Sequence, residues 1–127
     1  MKYILDSHAI IWMIENNAKM PSRIKDIIIS PENTIYISSV SLWEIAIKMD
    51  LGKLTLNVSF DDLLEYIDIR DFDILQIKGD YLKGLSGLPY IHNDPFDRLI
   101  ISTAVSENLT IITIDDNIQK YNVSWIW

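Results

Sequence analysis

The sequence contains no cysteine, which excludes a disulfide framework, a thiolate metal site and a cysteine nucleophile. Glycine and proline are scarce, four of each, so neither a collagen-like repeat nor a low-complexity disordered chain fits. The glycines are scattered, and no phosphate-cradling loop is evident. Long apolar runs are also missing. Ala9–Ile14, near the start, is too short to span a membrane and lacks a signal peptide's cleavage region. A soluble, cytoplasmic protein with no membrane association is expected. Basic residues are few: 11 Lys and Arg stand against 18 Asp and Glu, a formal charge of −7. A protein that holds nucleic acid by phosphate neutralisation alone usually shows a basic face. The excess acids either keep a solvated surface soluble or converge in one pocket where metal cations offset them, and composition does not choose between the two.

What is present is an ordinary globular balance, 49% hydrophobic and 23% charged residues in 127. That length suits one core, so a single domain over residues 1–127 is expected. Short β-prone runs alternate with helical periods. Lys2–Leu5 reads as a strand ending at Asp6, Ala9–Glu15 as a buried helix, and Pro21 as the first turn of a helix through Ile29. Thr34–Ile37 is a strand signal, and Ser38–Met49 is helical, closed by Gly52. From Ser59 to Ile69, Phe60, Leu63, Leu64 and Ile67 share one face while Asp61, Asp62, Glu65 and Asp68 take the other. Phe72–Ile77 reads as a strand, Lys78–Leu85 as a short helix and Gly87–Asn93 as a loop. Asp94-Pro95 opens a long helix through Ser106, Thr110–Ile114 is β-prone, and Val123–Trp127 is an expected edge strand. Strands that are apolar throughout, alternating with helices, imply a mostly parallel sheet covered on both faces, with ligands gathering beyond its carboxyl edge.

Four acids bear on that edge. Asp6 and Asp115 terminate apolar runs; Glu44 shares a helix face with Val40 and Ile47; Asp97 shares one with Ile100, Ile101 and Ala104. Each of three has a structural explanation: Asp6 or Ser7 caps a helix, Asp97 occupies a capping-box-like position after Asp94, and Asp115 or Asp116 caps a turn before Tyr121. Glu44 is harder to place, because a carboxylate on an apolar face is costly unless it is paired or metal-bound. Jointly, four inward carboxylates without a matching Lys or Arg repel one another, and a hard divalent ion with oxygen ligands resolves the repulsion. Ser, His and Asp give no sign of a nucleophilic triad, since no oxyanion hole or nucleophile elbow accompanies them. A phosphatase would want an acid where His8 stands, and a receiver-like domain a lysine ending a late strand.

The runs Leu5-Asp6-Ser7-His8-Ala9-Ile10-Ile11-Trp12, Ser39–Lys48 with Leu51-Gly52-Lys53-Leu54, His92–Ile101 and Thr113-Ile114-Asp115 occur in an order that resembles the PIN-domain ribonucleases. More narrowly, they resemble the VapC-type toxins of bacterial toxin–antitoxin pairs. The resemblance implies a three-layer α/β/α domain with a central, mostly parallel sheet and a Mg²⁺- or Mn²⁺-dependent endoribonuclease site. On it, Asp6, Glu44 and Asp97 match the three core acids and Asp115 the more variable fourth, so all four are expected to be catalytic and metal-binding. Ser7 falls where the family has a small hydroxyl residue that positions the first acid or a metal-bound water. The implied partners are an RNA substrate, a cognate antitoxin protein and a second copy in a homodimer; a catalytically silent PIN-like scaffold is the alternative. Trp12 and Trp43 are expected to pack in the core, His92 to be a surface residue, and Arg98 to pair with Asp94.

Overall fold

Five short strands pair side by side in the computed structural model, which describes Met1–Trp127. They are β1 (Lys2–Leu5), β2 (Thr34–Ser38), β3 (Asp73–Leu75), β4 (Thr110–Ile112) and β5 (Trp125–Ile126), in the order β3-β2-β1-β4-β5. Every pairing is parallel. Parallel neighbours need crossover connections, and the helices supply them: α1 (Ser7–Ile14), α2 (Ser22–Ile29), α3 (Ser39–Asp50), α4 (Phe60–Ile69), α5 (Gly79–Gly84), α6 (Pro95–Glu107) and α7 (Asp116–Gln119).

The period-2 alternation of strand side chains sorts the apolar residues into two layers. Tyr3, Leu5, Ile35, Ile37 and Ile112 pack on one face with Ala9, Ile10 and Met13 of α1, Ile24 and Ile28 of α2, Ile45 of α3, and Leu63 and Ile67 of α4. Ile4 and Ile111 point the opposite way, into Ile100, Ile101 and Ala104 of α6, Ile118 of α7 and Tyr121. The chain is therefore the expected three-layer α/β/α arrangement, and its strands read as unbroken apolar runs because both faces are covered. Ile4 and Ile100 have no exposed surface. Truncating either to alanine is expected to cost about 2–5 kcal/mol. A third, smaller cluster of Val40, Tyr81 and Leu99 ties α3, α5 and α6 together.

Some boundaries differ from the sequence expectation, each for a local reason. α1 begins at Ser7 rather than Ala9, because the Asp6 carboxylate already accepts the Ala9 N–H and caps the helix. β3 and β5 shrink to the residues their single neighbour can pair, as suits edge strands. The turn expected before Tyr121 is a short helix, α7, capped by Asp115. α3 ends where Gly52, at φ +70°, takes a left-handed conformation that favours glycine. No helix is long and apolar enough to cross a membrane.

Candidate active site

β1 sits at the centre of the sheet, so the residue following it emerges at the middle of the carboxyl edge. That residue is Asp6, 2% exposed and enclosed by its neighbours. One of its oxygens accepts the Ala9 N–H at 2.8 Å. The other accepts the hydroxyl of Thr113, which follows β4 by one residue. Thr113 Oγ1 in turn accepts the Asp115 N–H at 2.9 Å, and Asp115 caps α7 by accepting the N–H groups of Asn117 and Ile118. The end of the first strand and the end of the fourth are thereby tied through one hydroxyl.

Glu44 enters from α3, which crosses beside α1 and buries the carboxylate to 5% exposure. Ser7 Oγ donates to Glu44 Oε1 at 2.6 Å, and Lys48 Nζ, one helical turn further on, donates to Oε2 at 2.7 Å. Two expectations are corrected here. Of the two roles expected at Ser7, holding the first acid is not seen: its hydroxyl holds Glu44, and the hydroxyl partner of Asp6 is Thr113. The buried glutamate does have a lysine beside it. Asp97 enters from the first turn of α6, whose N-cap, Asp94, accepts the Asp97 N–H at 3.0 Å. Its Oδ2 meets His92 Nε2 at 3.1 Å.

These side chains line one cleft of about 240 Å³: Asp6, Glu44, Asp94, Asp97 and Asp115, with Ser7, His8, Lys48 and Lys53 among the remaining walls. The four acids singled out in the sequence thus share one neighbourhood, and Asp94 joins them as a fifth. Two of the cap readings hold as well, because Asp6 and Asp115 cap helices while they line the cleft; the Asp97 carboxylate turns to His92 instead of closing a capping box. The acids ring the space without closing into a cage: no group of three or more carboxylate and imidazole side chains stands at ion-holding distances.

The electrostatics reflect crowding. Burial pushes the Asp6 carboxyl up to about 6, against the lowering effect of its Thr113 and Ala9 hydrogen bonds, and Asp115 and Glu44 add repulsion. Asp97 is pushed up to about 7, again chiefly by burial, opposed by the His92 hydrogen bond and reinforced by Asp94, Asp115 and Glu44. Lys48 is pushed up by its hydrogen bond to Glu44 and by the charges of Glu44, Asp94 and Asp97. The donor set on offer is carboxylate oxygen without sulfur, which is the chemistry of a hard divalent cation, and the two strained carboxyls would gain from one.

Other expectations are overturned. Arg98 does not pair with Asp94. It is 6% exposed, bonds to no carboxylate, and donates to the carbonyls of Leu85, Leu88 and Pro89 and to the Tyr121 hydroxyl, with Tyr90 stacked 4.0 Å from its guanidinium. His92 is partly buried, held between Tyr121 and Asp97. Trp43 is 60% exposed and stands edge-on to Phe96, not in the core. Trp12 is partly buried against the core and against Trp127.

An α/β/α sandwich with an acid-lined cleft at the carboxyl edge of a five-stranded parallel sheet defines the class of protein. A family model described as PIN domain matches residues 3–123, and the chain belongs to that family. No protein of curated function matches it in sequence. Among solved structures, it is similar to a chain of VapBC2 from Rickettsia felis bound to a DNA fragment from their promoter. That match has 20% identity and a TM-score of 0.76, and covers 100% of this chain and 99% of that one. It is similar to VapBC-1 from nontypeable Haemophilus influenzae at 20% identity and TM-score 0.64, over 99% and 97% of the two chains. A third is VapBC-5 from Mycobacterium tuberculosis, a member of the VapBC family of toxin–antitoxin systems, at 19% identity and TM-score 0.65, over 98% and 95%. At these identities the likeness is one of fold.

Proposed function

We propose that the protein is a Mg²⁺- or Mn²⁺-dependent endoribonuclease, the toxin component of a toxin–antitoxin pair. The observation that carries this reading is the convergence of Asp6, Glu44, Asp97 and Asp115, from four separated stretches of chain, on one cleft at the sheet's carboxyl edge. Two of those carboxyls are held above their ordinary range, as expected of groups arranged for a task rather than for stability.

Asp6 and Asp97 would hold the cation most directly, with Glu44 and Asp115 completing the site. A divalent cation here supplies an activated water and neutralises charge on a phosphodiester. The chain's own residues do the rest. Thr113 and the N-terminus of α1 fix the Asp6 carboxylate in one orientation, and Ser7 does the same for Glu44. Lys48 and Lys53 are the two basic side chains lining the cleft, placed to meet the phosphate of a bound strand. Trp43 of α3, exposed and edge-on to Phe96 of α6, makes an apolar surface that would suit an antitoxin segment, and a homodimer and a cytoplasmic location are proposed with it.

The test is cleavage of an RNA panel with Mg²⁺ or Mn²⁺ against EDTA. Cleavage that requires metal and is lost in Asp6→Ala and Asp97→Ala supports the reading. No metal-dependent cleavage by the wild type, or equal cleavage by both variants, would refute it.

A further inference from the structure

Arg98 is a buried cation without a carboxylate, and its neighbours account for its direction. Three of its four acceptors are not acids but carbonyls of the Leu85–Pro89 segment, so the guanidinium anchors the loop that leads to His92. The fourth is the Tyr121 hydroxyl oxygen, at 3.2 Å. That oxygen also lies 2.9 Å from His92 Nδ1. Arginine can only donate, so the Tyr121 oxygen accepts from it and its single proton is free for another acceptor. The candidates are His92 Nδ1 at 2.9 Å and the His92 carbonyl at 3.5 Å, and the ring nitrogen is much the nearer. With Nδ1 accepting, a neutral imidazole must carry its proton on Nε2, which lies 3.1 Å from Asp97 Oδ2.

We propose that Arg98, Tyr121 and His92 form a positioning relay that fixes His92 as the Nε2–H tautomer and commits one oxygen of Asp97 to it, leaving the other for the cleft. His92 and Tyr121 are positioning residues, acting through Asp97 rather than on the scissile bond. The relay deepens the nuclease reading and rests on it for its functional arm. The hydrogen-bond chain itself does not depend on activity. Outer partners of this kind are worth roughly 10–100-fold in metal affinity or activity.

The experiment is long-range proton–nitrogen NMR of the uniformly ¹⁵N-labelled full chain at alkaline pH. Only His8 and His92 contribute imidazole signals, and His8→Gln assigns them. The expected result is a single Nε2–H tautomer for His92 in the wild type and a tautomer mixture in Tyr121→Phe, which keeps the ring in the core and removes only the hydroxyl. An Nδ1–H tautomer in the wild type, or an unchanged spectrum in Tyr121→Phe, overturns the relay. In RNA cleavage, Tyr121→Phe and His92→Ala are expected to lower kcat about tenfold with KM unchanged. His92→Gln, which keeps an N–H donor, is expected to recover part of that loss. Full activity in His92→Ala overturns the positioning role. A wild type that cuts no RNA refutes the nuclease reading, while the tautomer spectra still decide the relay.

Discussion

The Thr113 hydroxyl donates to the carboxylate of Asp6 across 107 residues of sequence, joining the ends of two neighbouring parallel strands. Both groups are buried, so the bond is shielded from water. Thr113→Val keeps the side chain's shape and removes the donor. The hydrogen bond holds the Asp6 carboxyl down, so its loss is expected to move the Asp6 titration upward, read by carboxyl-carbon NMR. Stability is expected to fall by about 1–3 kcal/mol, because a buried acceptor loses its partner. An Asp6 titration that moves down or stays put contradicts this.

The raised carboxyls also make stability depend on pH, with a definite sign. Asp6 and Asp97 stay protonated in the folded chain up to about 6 and about 7, whereas the unfolded chain releases both protons near 3.8. Between those limits the folded state binds more protons, so stability declines as pH rises through the window. The full effect is about 3 kcal/mol for Asp6 and about 4 kcal/mol for Asp97 taken separately, not additive because the groups interact. In EDTA the melting temperature is expected to fall from pH 4.5 to pH 8. Asp97→Asn should flatten that slope, and Mg²⁺ or Mn²⁺ should restore stability at pH 8 far more than at pH 4.5. A metal-free melting temperature that rises over this interval would be the contrary result.

Lys48 Nζ donates to Glu44 Oε2, and its side chain is about half exposed. Lys48→Met removes a positive charge facing Glu44, Asp94 and Asp97. Mn²⁺ affinity, read by calorimetry, is therefore expected to tighten several-fold, while RNA binding is expected to weaken with the loss of the proposed phosphate contact. Weaker Mn²⁺ binding in the variant would mean that the ammonium is not competing with the ion.

Away from the cleft, α5 packs on α6 through a contact that admits no side chain at Gly84: an added Cβ would collide with Ser102 Oγ. That hydroxyl cannot easily turn away, since it donates to the Tyr81 carbonyl at 2.5 Å. Gly84→Ala is expected to cost about 1–3 kcal/mol in a chemical denaturation experiment. Combining it with Ser102→Gly should cost less than the two changes summed, because they meet at one point. Strict additivity would count against the contact.

The architecture was readable because its signals are local. β-prone runs at 2–5, 34–37 and 110–114 mark strands, the last of them two residues longer than β4, and Asp94-Pro95 marks the start of α6. Asp6, Glu44 and Asp97 stood out because each breaks an apolar pattern. What was not readable depends on competition between partners. Arg98 stands at i+4 from Asp94, so spacing suggests a pair, yet Asp94 caps the helix and three loop carbonyls take the guanidinium. Lys48 stands at i+4 from Glu44, and there the same spacing does produce a bond. The hydroxyl of Thr113 and the ring of Tyr121 gain their meaning only from residues 107 and 29 positions away, which no periodicity reveals.

The position of β1 between β2 and β4 has a further consequence for a chain made from its amino terminus. When the first strand leaves the ribosome, β2 can join it early, but its other edge stays bare until residues 110–113 are synthesised. Until then Asp6 has no hydroxyl to hold it and the cleft has no fourth wall. A chain that stops before residue 110 therefore lacks both the second partner of β1 and the hydroxyl that holds Asp6.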